Sequence, residues 1–259
     1  EVLADAELVF LAVPSQSLRG NLQEWGAHLP KSAILVSLMK GVERDTGLRM
    51  SEVMAEVTGF PASQIAVVSG PNLATEIANK QPAASVASSV NRDTAIRVAE
   101  VSSNDYFTTF TNNDVIGTEF GGILKNLIAV AIGIVNGVGY GENTKASIMT
   151  RGLAEISRFA VAYGAHPNTM IGLAGLGDLI ATSESPLSRN HKAGEMLGRG
   201  YSIREVIKRM SQTAEGLASV KPILALAAEK NIAMPIVEQV NAVLEGSMDP
   251  RDIAPHLTH

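Results

Sequence analysis

The chain has 259 residues, of which 46% are hydrophobic and 18% charged, and a formal net charge of −5. This length suits one large domain or two moderate ones, and the apolar content excludes a disordered chain. The negative charge disfavours a broad basic surface for nucleic acid or membranes, and the absence of cysteine excludes disulfides, thiolate metal sites and cysteine nucleophiles.

The amino-terminal part alternates short apolar runs with segments of helical spacing. Strands are predicted over residues 7–13, 33–37, 65–69 and 83–88, and helices over residues 17–27 and 49–57. This alternation is typical of parallel βαβ units in an open, doubly wound sheet. The chain starts close to an interior strand and has no Gly-x-Gly-x-x-Gly fingerprint, so we expect the first βαβ units to be missing from it.

After residue 113 the pattern changes to long helical segments separated by Gly and Pro. Helices are predicted over residues 117–136, 145–163, 189–197, 215–230 and 236–244. The longest apolar run, residues 127–135, is shorter than the roughly 20 residues that cross a membrane, which indicates a buried helix. We therefore predict a truncated Rossmann-like α/β domain in residues 1–112 and an all-helical substrate domain in residues 113–259.

Polar residues follow two of the predicted strands. Lys40 comes after residues 33–37, and Gly70 and Asn72 come after residues 65–69. Strand carboxyl ends are where doubly wound sheets bind ligands, so Lys40 could meet a phosphate or hydroxyl there. We expect Asn72 to cap the next helix. Taken alone, Lys40 fits an exposed loop lysine better than a ligand contact, and residues 69–72 fit an ordinary strand-to-helix turn.

Lys125 is the sharpest candidate, because it lies in a run that otherwise holds only Asn126, Gly and aliphatic residues. Burying an ammonium group is costly, so the amine either reaches the surface or points into a cleft where its pKa is lowered. Gly121 and Gly122, one turn earlier, would let a ligand approach the backbone. Asp178 and Thr182 are four residues apart and would share one side of a helix, where they could orient a lysine or a substrate hydroxyl.

The sequence Ser188-Arg189-Asn190 follows a proline and opens a predicted helix, with Ser188 as its cap. Helix-start N–H groups and a guanidinium together suit a phosphate dianion, although a capped surface helix fits the pattern too. The histidines show neither metal-ligand spacing nor a nucleophile partner, so we expect no metal and no acyl transfer; they are His28, His166, His191, His256 and His259.

Six segments, taken together, resemble the bacterial NAD(P)-dependent glycerol-3-phosphate dehydrogenases in sequence and in order. They are VPS at 13–15, SLMKG at 37–41, SGPNLATE at 69–76, FGGILKNLIAVAIGI at 120–134, GLGDLIATSESPLSRN at 175–190 and TAEG at 213–216. The resemblance spans nearly the whole chain. It implies hydride transfer between NAD or NADP and the secondary alcohol of sn-glycerol 3-phosphate, or the reverse reduction of dihydroxyacetone phosphate.

The resemblance also implies roles for single residues. Lys125 would accept the hydroxyl proton and Asp178 would support it. The substrate-binding residues would be Lys40, Gly70, Asn72, Lys125, Asp178, Ser188, Arg189 and Asn190. The cofactor-binding residues would be Lys40, Ala74, Arg189, Thr213 and Glu215.

Further expectations concern the biological setting. The absence of cysteine favours the cytoplasm. The resemblance implies a homodimer that supplies glycerol phosphate for phospholipid synthesis. Because the phosphate-binding loop is missing, we expect little or no activity from the chain as it stands, and its cofactor preference stays open. A reductase of other small 2-hydroxy or 2-oxo compounds, and an inactive scaffold, are the alternatives.

Overall fold

The computed structural model describes residues 3–210 and 214–253. Its amino-terminal part contains a five-stranded sheet. The strands are β1 (Leu8–Leu11), β2 (Ile34–Ser37), β3 (Ile65–Ser69), β4 (Ala83–Ser88) and β5 (Phe107–Asn112), in that order across the sheet. The helices between them are α1 (Leu18–Trp25), α2 (Met50–Thr58), α3 (Ala74–Ala78) and α4 (Arg92–Ser102). The predicted α/β class is confirmed.

One strand pair departs from the all-parallel sheet expected from the sequence. β1, β2 and β3 are parallel, but β4 runs antiparallel to β3, and β5 is parallel to β4. For β4 to run parallel to β3, the chain between them would have to cross back along the sheet, which usually takes a dozen or more residues with a helix packed on the sheet. Residues 70–82 contain only the five-residue α3, so β4 starts near the end of β3 and runs in the opposite direction. Neither β5 nor α4 was predicted from the apolar pattern.

The carboxyl-terminal part is helical and is built around α5 (Val115–Val138). The surrounding helices are α6 (Glu142–Ala162), α7 (Pro167–Met170), α8 (Asp178–Glu184), α9 (Arg189–Gly198), α10 (Ile203–Arg209), α11 (Glu215–Glu229) and α12 (Pro235–Glu245). Of the described helices, α5 alone is long and apolar enough to cross a membrane, but it is largely buried by its neighbours. It is the core helix that the sequence predicted.

Small residues bring α5 and α9 into backbone contact. A Cβ atom at Gly133 would lie 3.0 Å from the Cα atom of Gly194, and one at Gly137 would lie 3.0 Å from that of Gly198. Larger side chains would hold the two helices apart. This packing places the beginning of α9 beside the middle of α5, where Lys125 lies.

Candidate active site

The helix α5 passes over the carboxyl ends of β2 and β3. A Cβ atom at Gly122 would lie 2.6 Å from Ser69 Oγ, at the end of β3, and 3.3 Å from Cγ of Lys40, just beyond β2. Gly121 packs against the main chain of Ala174. The expectation that these two glycines admit a ligand is therefore wrong, because protein atoms fill the space beside both of them.

Lys125 is buried, and its amine is held by two residues of α8. Its Nζ lies 2.9 Å from Asp178 Oδ1 and 2.5 Å from Thr182 Oγ1, and the side chain is only 7% exposed. Thr182 Oγ1 lies 3.2 Å from Asp178 Oδ1, so these two residues face the same side of α8, as predicted. The amine therefore points into the molecule and does not reach the surface of the chain.

Lys40 contacts the second oxygen of the same carboxylate. Its Nζ lies 2.5 Å from Asp178 Oδ2 and donates to the carbonyl of Gly70 at 3.0 Å. Gly70 has a φ of 151°, and a Cβ there would lie 3.0 Å from Cα of Ser85, so a larger residue would be strained. Asp178 thus bridges two ammonium groups, one from each part of the chain.

The surroundings of Lys125 favour its neutral form. Burial, and after it the positive charge of Lys40, lowers the pKa of the amine from 10.5 to about 8, while Asp178 and Glu215 act in the opposite direction. Desolvation penalises the charged form, and a nearby cation adds to this effect. The amine can therefore give and take a proton near neutral pH, as a general acid–base group must.

The start of α9 is tied to α5 and α11 by amide side chains. Ser188 caps α9, accepting a hydrogen bond from the backbone N–H of His191 at 3.2 Å, as predicted. Asn190 Nδ2 donates to Asn126 Oδ1 at 2.8 Å, and Asn190 Oδ1 accepts from the backbone N–H of Gly216 at 3.0 Å. The helix start is thereby fixed beside Lys125, since Asn126 is the next residue of α5.

Glu215, the first residue of α11, adds a carboxylate near these cations. Burial raises the pKa of its carboxyl, whereas a hydrogen bond from the backbone of Ser15 and the charges of Arg189, Lys40 and Lys125 lower it. Arg189 itself is exposed at the first position of α9. Both residues therefore lie within electrostatic reach of the Lys125 cluster.

Two of the described residues that were predicted for the site, Asn72 and Ala74, stand apart from this cluster. Asn72 does not cap α3, because the cap position is Leu73 and the Asn72 side chain instead donates to Ser85 Oγ at 3.1 Å. Ala74 is exposed in the first turn of α3, and no described contact joins it to Lys125. Thr213 lies outside the described residues.

Thr182 and Asn126 complete the network; Thr182 was expected to act with Asp178, whereas Asn126 was assigned no role from the sequence. Both carried a usable signal: Thr182 lies one helical turn after Asp178, and Asn126 is the other polar residue of the apolar run.

Among the described residues, no group of three or more His, Asp or Glu side chains could hold a metal ion. A cavity of about 590 Å³ lies between α10, α11 and α12. None of the described residues that were predicted for the site lines it.

Comparison with known proteins gives consistent matches along the chain. Residues 1–95 match the family described as NAD-dependent glycerol-3-phosphate dehydrogenase N-terminus, and residues 114–255 match the corresponding C-terminus family. The chain is 64% identical, over 258 residues, to glycerol-3-phosphate dehydrogenase [NAD(P)+] of Leifsonia xyli subsp. xyli, covering 100% of this chain and 70% of that protein. A relative of the same name from Streptomyces griseus subsp. griseus is 51% identical over 250 residues, covering 96% of this chain and 74% of that protein.

A solved structure gives the same result at the level of the fold. The crystal structure of glycerol-3-phosphate dehydrogenase from Coxiella burnetii superposes with a TM-score of 0.91 at 33% sequence identity, covering 97% of this chain and 76% of that one. Sheet and helices thus occur together in an arrangement known from a solved structure.

Proposed function

Because the chain belongs to the NAD-dependent glycerol-3-phosphate dehydrogenase family, we propose that Lys125 carries the proton while a hydride moves between NAD(P) and the second carbon of sn-glycerol 3-phosphate. The observation that supports this role is the buried amine held between Asp178 and Thr182. An amine with a pKa of about 8 is partly neutral at physiological pH, so it can accept the hydroxyl proton during oxidation and return it during reduction.

The residues around Lys125 would hold it in position for this task. The Asp178 carboxylate accepts a hydrogen bond from the ammonium group of Lys125 and another from that of Lys40. Its negative charge offsets the repulsion between these two neighbouring cations. Lys40 in turn keeps the pKa of Lys125 low. In oxidation the substrate carbon loses a hydride and its oxygen loses a proton, so the product is the ketone dihydroxyacetone phosphate.

We assign the phosphate of the substrate to the start of α9. The N–H groups of the first turn, the cap Ser188 and the guanidinium of Arg189 are the groups that bind a dianion at a helix start. Asn190 holds this turn against α5 and α11 through its two hydrogen bonds. The hydroxyl of a three-carbon phosphate would then lie toward Lys125.

The residues present suit the nicotinamide end of the cofactor. Glu215 offers a half-buried carboxylate near the end of β1, which suits an amide donor such as a carboxamide. Lys40 and Arg189 would add positive charge for the phosphates, and Ala74 and Thr213 would complete the contacts. The bound nicotinamide supplies or accepts the hydride.

Other parts of the proposal have no support from a contact in the described residues. A homodimer, a cytoplasmic location and a role in phospholipid synthesis stay predictions, as does the division into domains after residue 112. The preferred cofactor, NAD or NADP, stays open.

The experiment compares Lys125→Ala with Lys221→Ala in a full-length form, which is extended to the length of the relatives, since this chain covers 70–74% of them. Lys221 is an exposed lysine of α11 that pairs with Glu245 on the surface. We expect Lys125→Ala to keep its fold by circular dichroism and to lower turnover of glycerol 3-phosphate about 10²- to 10⁴-fold, since general acid–base catalysis contributes this much.

Lys221→Ala should turn over like the parent protein. Near-normal turnover by folded Lys125→Ala would refute the assignment of the proton carrier. If the unsubstituted full-length form oxidised other 2-hydroxy compounds but neither glycerol 3-phosphate nor its ketone reacted, the substrate assignment itself would be wrong.

A further inference from the structure

Glu119 is a buried carboxylate of α5 for which the proposed reaction has no direct use. It lies six residues before Lys125 and is 3% exposed. Its Oε2 accepts from Arg49 Nη1 at 2.5 Å and from Ser51 Oγ at 2.6 Å, and its Oε1 accepts from the Ser51 backbone N–H at 2.9 Å. A buried charge that is paired and hydrogen-bonded in this way is a rigid attachment point.

The segment attached to Glu119 is the one that carries Lys40. Val42 and Arg49 pair across an antiparallel bridge, which closes the intervening residues into a turn. The segment is therefore held at both ends: Lys40 contacts Asp178, and Arg49 contacts Glu119. The bridge thus connects the Glu119 end of the segment with the Lys40 end.

The contacts of α5 with this segment occur in successive turns of the helix. Glu119 holds Arg49 and Ser51, Gly122 packs against the side chain of Lys40, and Lys125 follows in the next turn. We propose that Glu119 is a positioning residue, which fixes the Lys40 segment against α5 and thereby sets the separation of the two ammonium groups. This proposal rests on the role given above to Lys125.

The proposal predicts the sign of an electrostatic effect. The charged groups that act on Lys125 are Lys40, Asp178 and Glu215, and Lys40 is the cation among them that lowers its pKa. If Lys40 moves away, the pKa of Lys125 rises. If Glu119 acted on Lys125 only through its own negative charge, removing that charge would have the opposite effect, because the loss of an anion lowers the pKa of a nearby amine.

The test is the pH dependence of glycerol 3-phosphate oxidation by the full-length form carrying Glu119→Gln. Glutamine keeps the shape but has one acceptor oxygen instead of two, so part of the Arg49 and Ser51 contacts is lost. We expect the acidic limb of kcat/KM to move to higher pH by about one unit, the size of shift that a neighbouring charge produces.

Glu155→Gln is the matched control. Glu155 is a buried carboxylate of α6 that accepts hydrogen bonds from the backbone N–H groups of Ile236 and Val237, at 3.0 and 3.1 Å, and both of these partners belong to α12. Both substitutions should lower stability, because each leaves buried donors without a full partner. The limb should stay in place in Glu155→Gln, since a merely structural role does not move it.

A limb that stays in place or moves to lower pH in Glu119→Gln would overturn the proposal. If that variant does not fold, Ser51→Ala tests the same contact with one hydrogen bond removed, and it should show a smaller upward shift. Lys125→Ala separates the two claims: if it abolishes turnover while Glu119→Gln leaves the limb unchanged, only the positioning role fails.

Discussion

Replacement of Asp178 by Asn removes the charge that holds both ammonium groups and keeps the shape of the side chain. The Lys125 amine lies 2.9 Å from this carboxylate. At that distance and an effective dielectric constant of about 20, the attraction is roughly 6 kcal/mol before desolvation is subtracted. Burial of both groups offsets most of it, so we expect the pKa of Lys125, about 8 in the parent protein, to fall by about 1–2 units.

The assay is kcat/KM for glycerol 3-phosphate oxidation across pH in the full-length form. Because the neutral amine is the active base, a lower pKa moves the acidic limb to lower pH, while the plateau should fall about hundredfold as the amine loses its anchor. Asp249→Asn, at an exposed residue paired with Arg251, is the control and should leave the limb unchanged. An unmoved limb, or one at higher pH, in Asp178→Asn would refute this reasoning.

Two further predictions concern stability and use the 259-residue chain. The folded pKa of Lys125, about 8, is below the ordinary 10.5, so the unfolded chain binds more protons between these values and stability rises with pH there. Lys125→Met should therefore be more stable than the parent at pH 7, by up to about 3 kcal/mol. In urea unfolding, this difference in stability should shrink as the pH rises from 8 to 10.5. A difference that stays constant with pH would contradict the prediction. Gly122→Ala should lose about 1–3 kcal/mol, because its methyl group would lie 2.6 Å from Ser69 Oγ. Gly20 lies in α1, and a Cβ atom added there would have no atom within 4 Å, so Gly20→Ala should raise the stability by about 0.5–1 kcal/mol. Equal urea midpoints for the two alanine variants would contradict this prediction.

Local patterns in the sequence were sufficient for much of the fold. The apolar run around Lys125 predicted a buried helix, and the proline before Ser188 predicted the capped start of α9, because both signals act within a few residues. The reversal at β4 could not be predicted, since it depends on how residues 70–82 return across the end of the sheet. Asn72 likewise found a partner in Ser85 that local capping rules do not consider.

The candidate site shows the same limit. Lys40 and Asp178 are 138 positions apart in sequence, yet their charged groups are in contact. Nothing in the spacing of either residue reveals this pairing; the order of the matched segments suggested only that both belong to one site. Glu119 carried the signal that singled out Lys125, a charge inside an apolar helix, but its partners Arg49 and Ser51 are nearly 70 positions away.

The most direct test of Lys125 as the proton carrier is chemical rescue of Lys125→Ala in the full-length form. The substitution leaves a space between Asp178 and Thr182 where an added primary alkylamine could take the place of the missing group. We predict that such amines restore oxidation of glycerol 3-phosphate in proportion to the concentration of their neutral form, and that they leave Lys221→Ala unaffected. If Lys125→Ala turns over at the parent rate without any amine, or is inactive and stays so with small amines that are shown to bind, the account is contradicted.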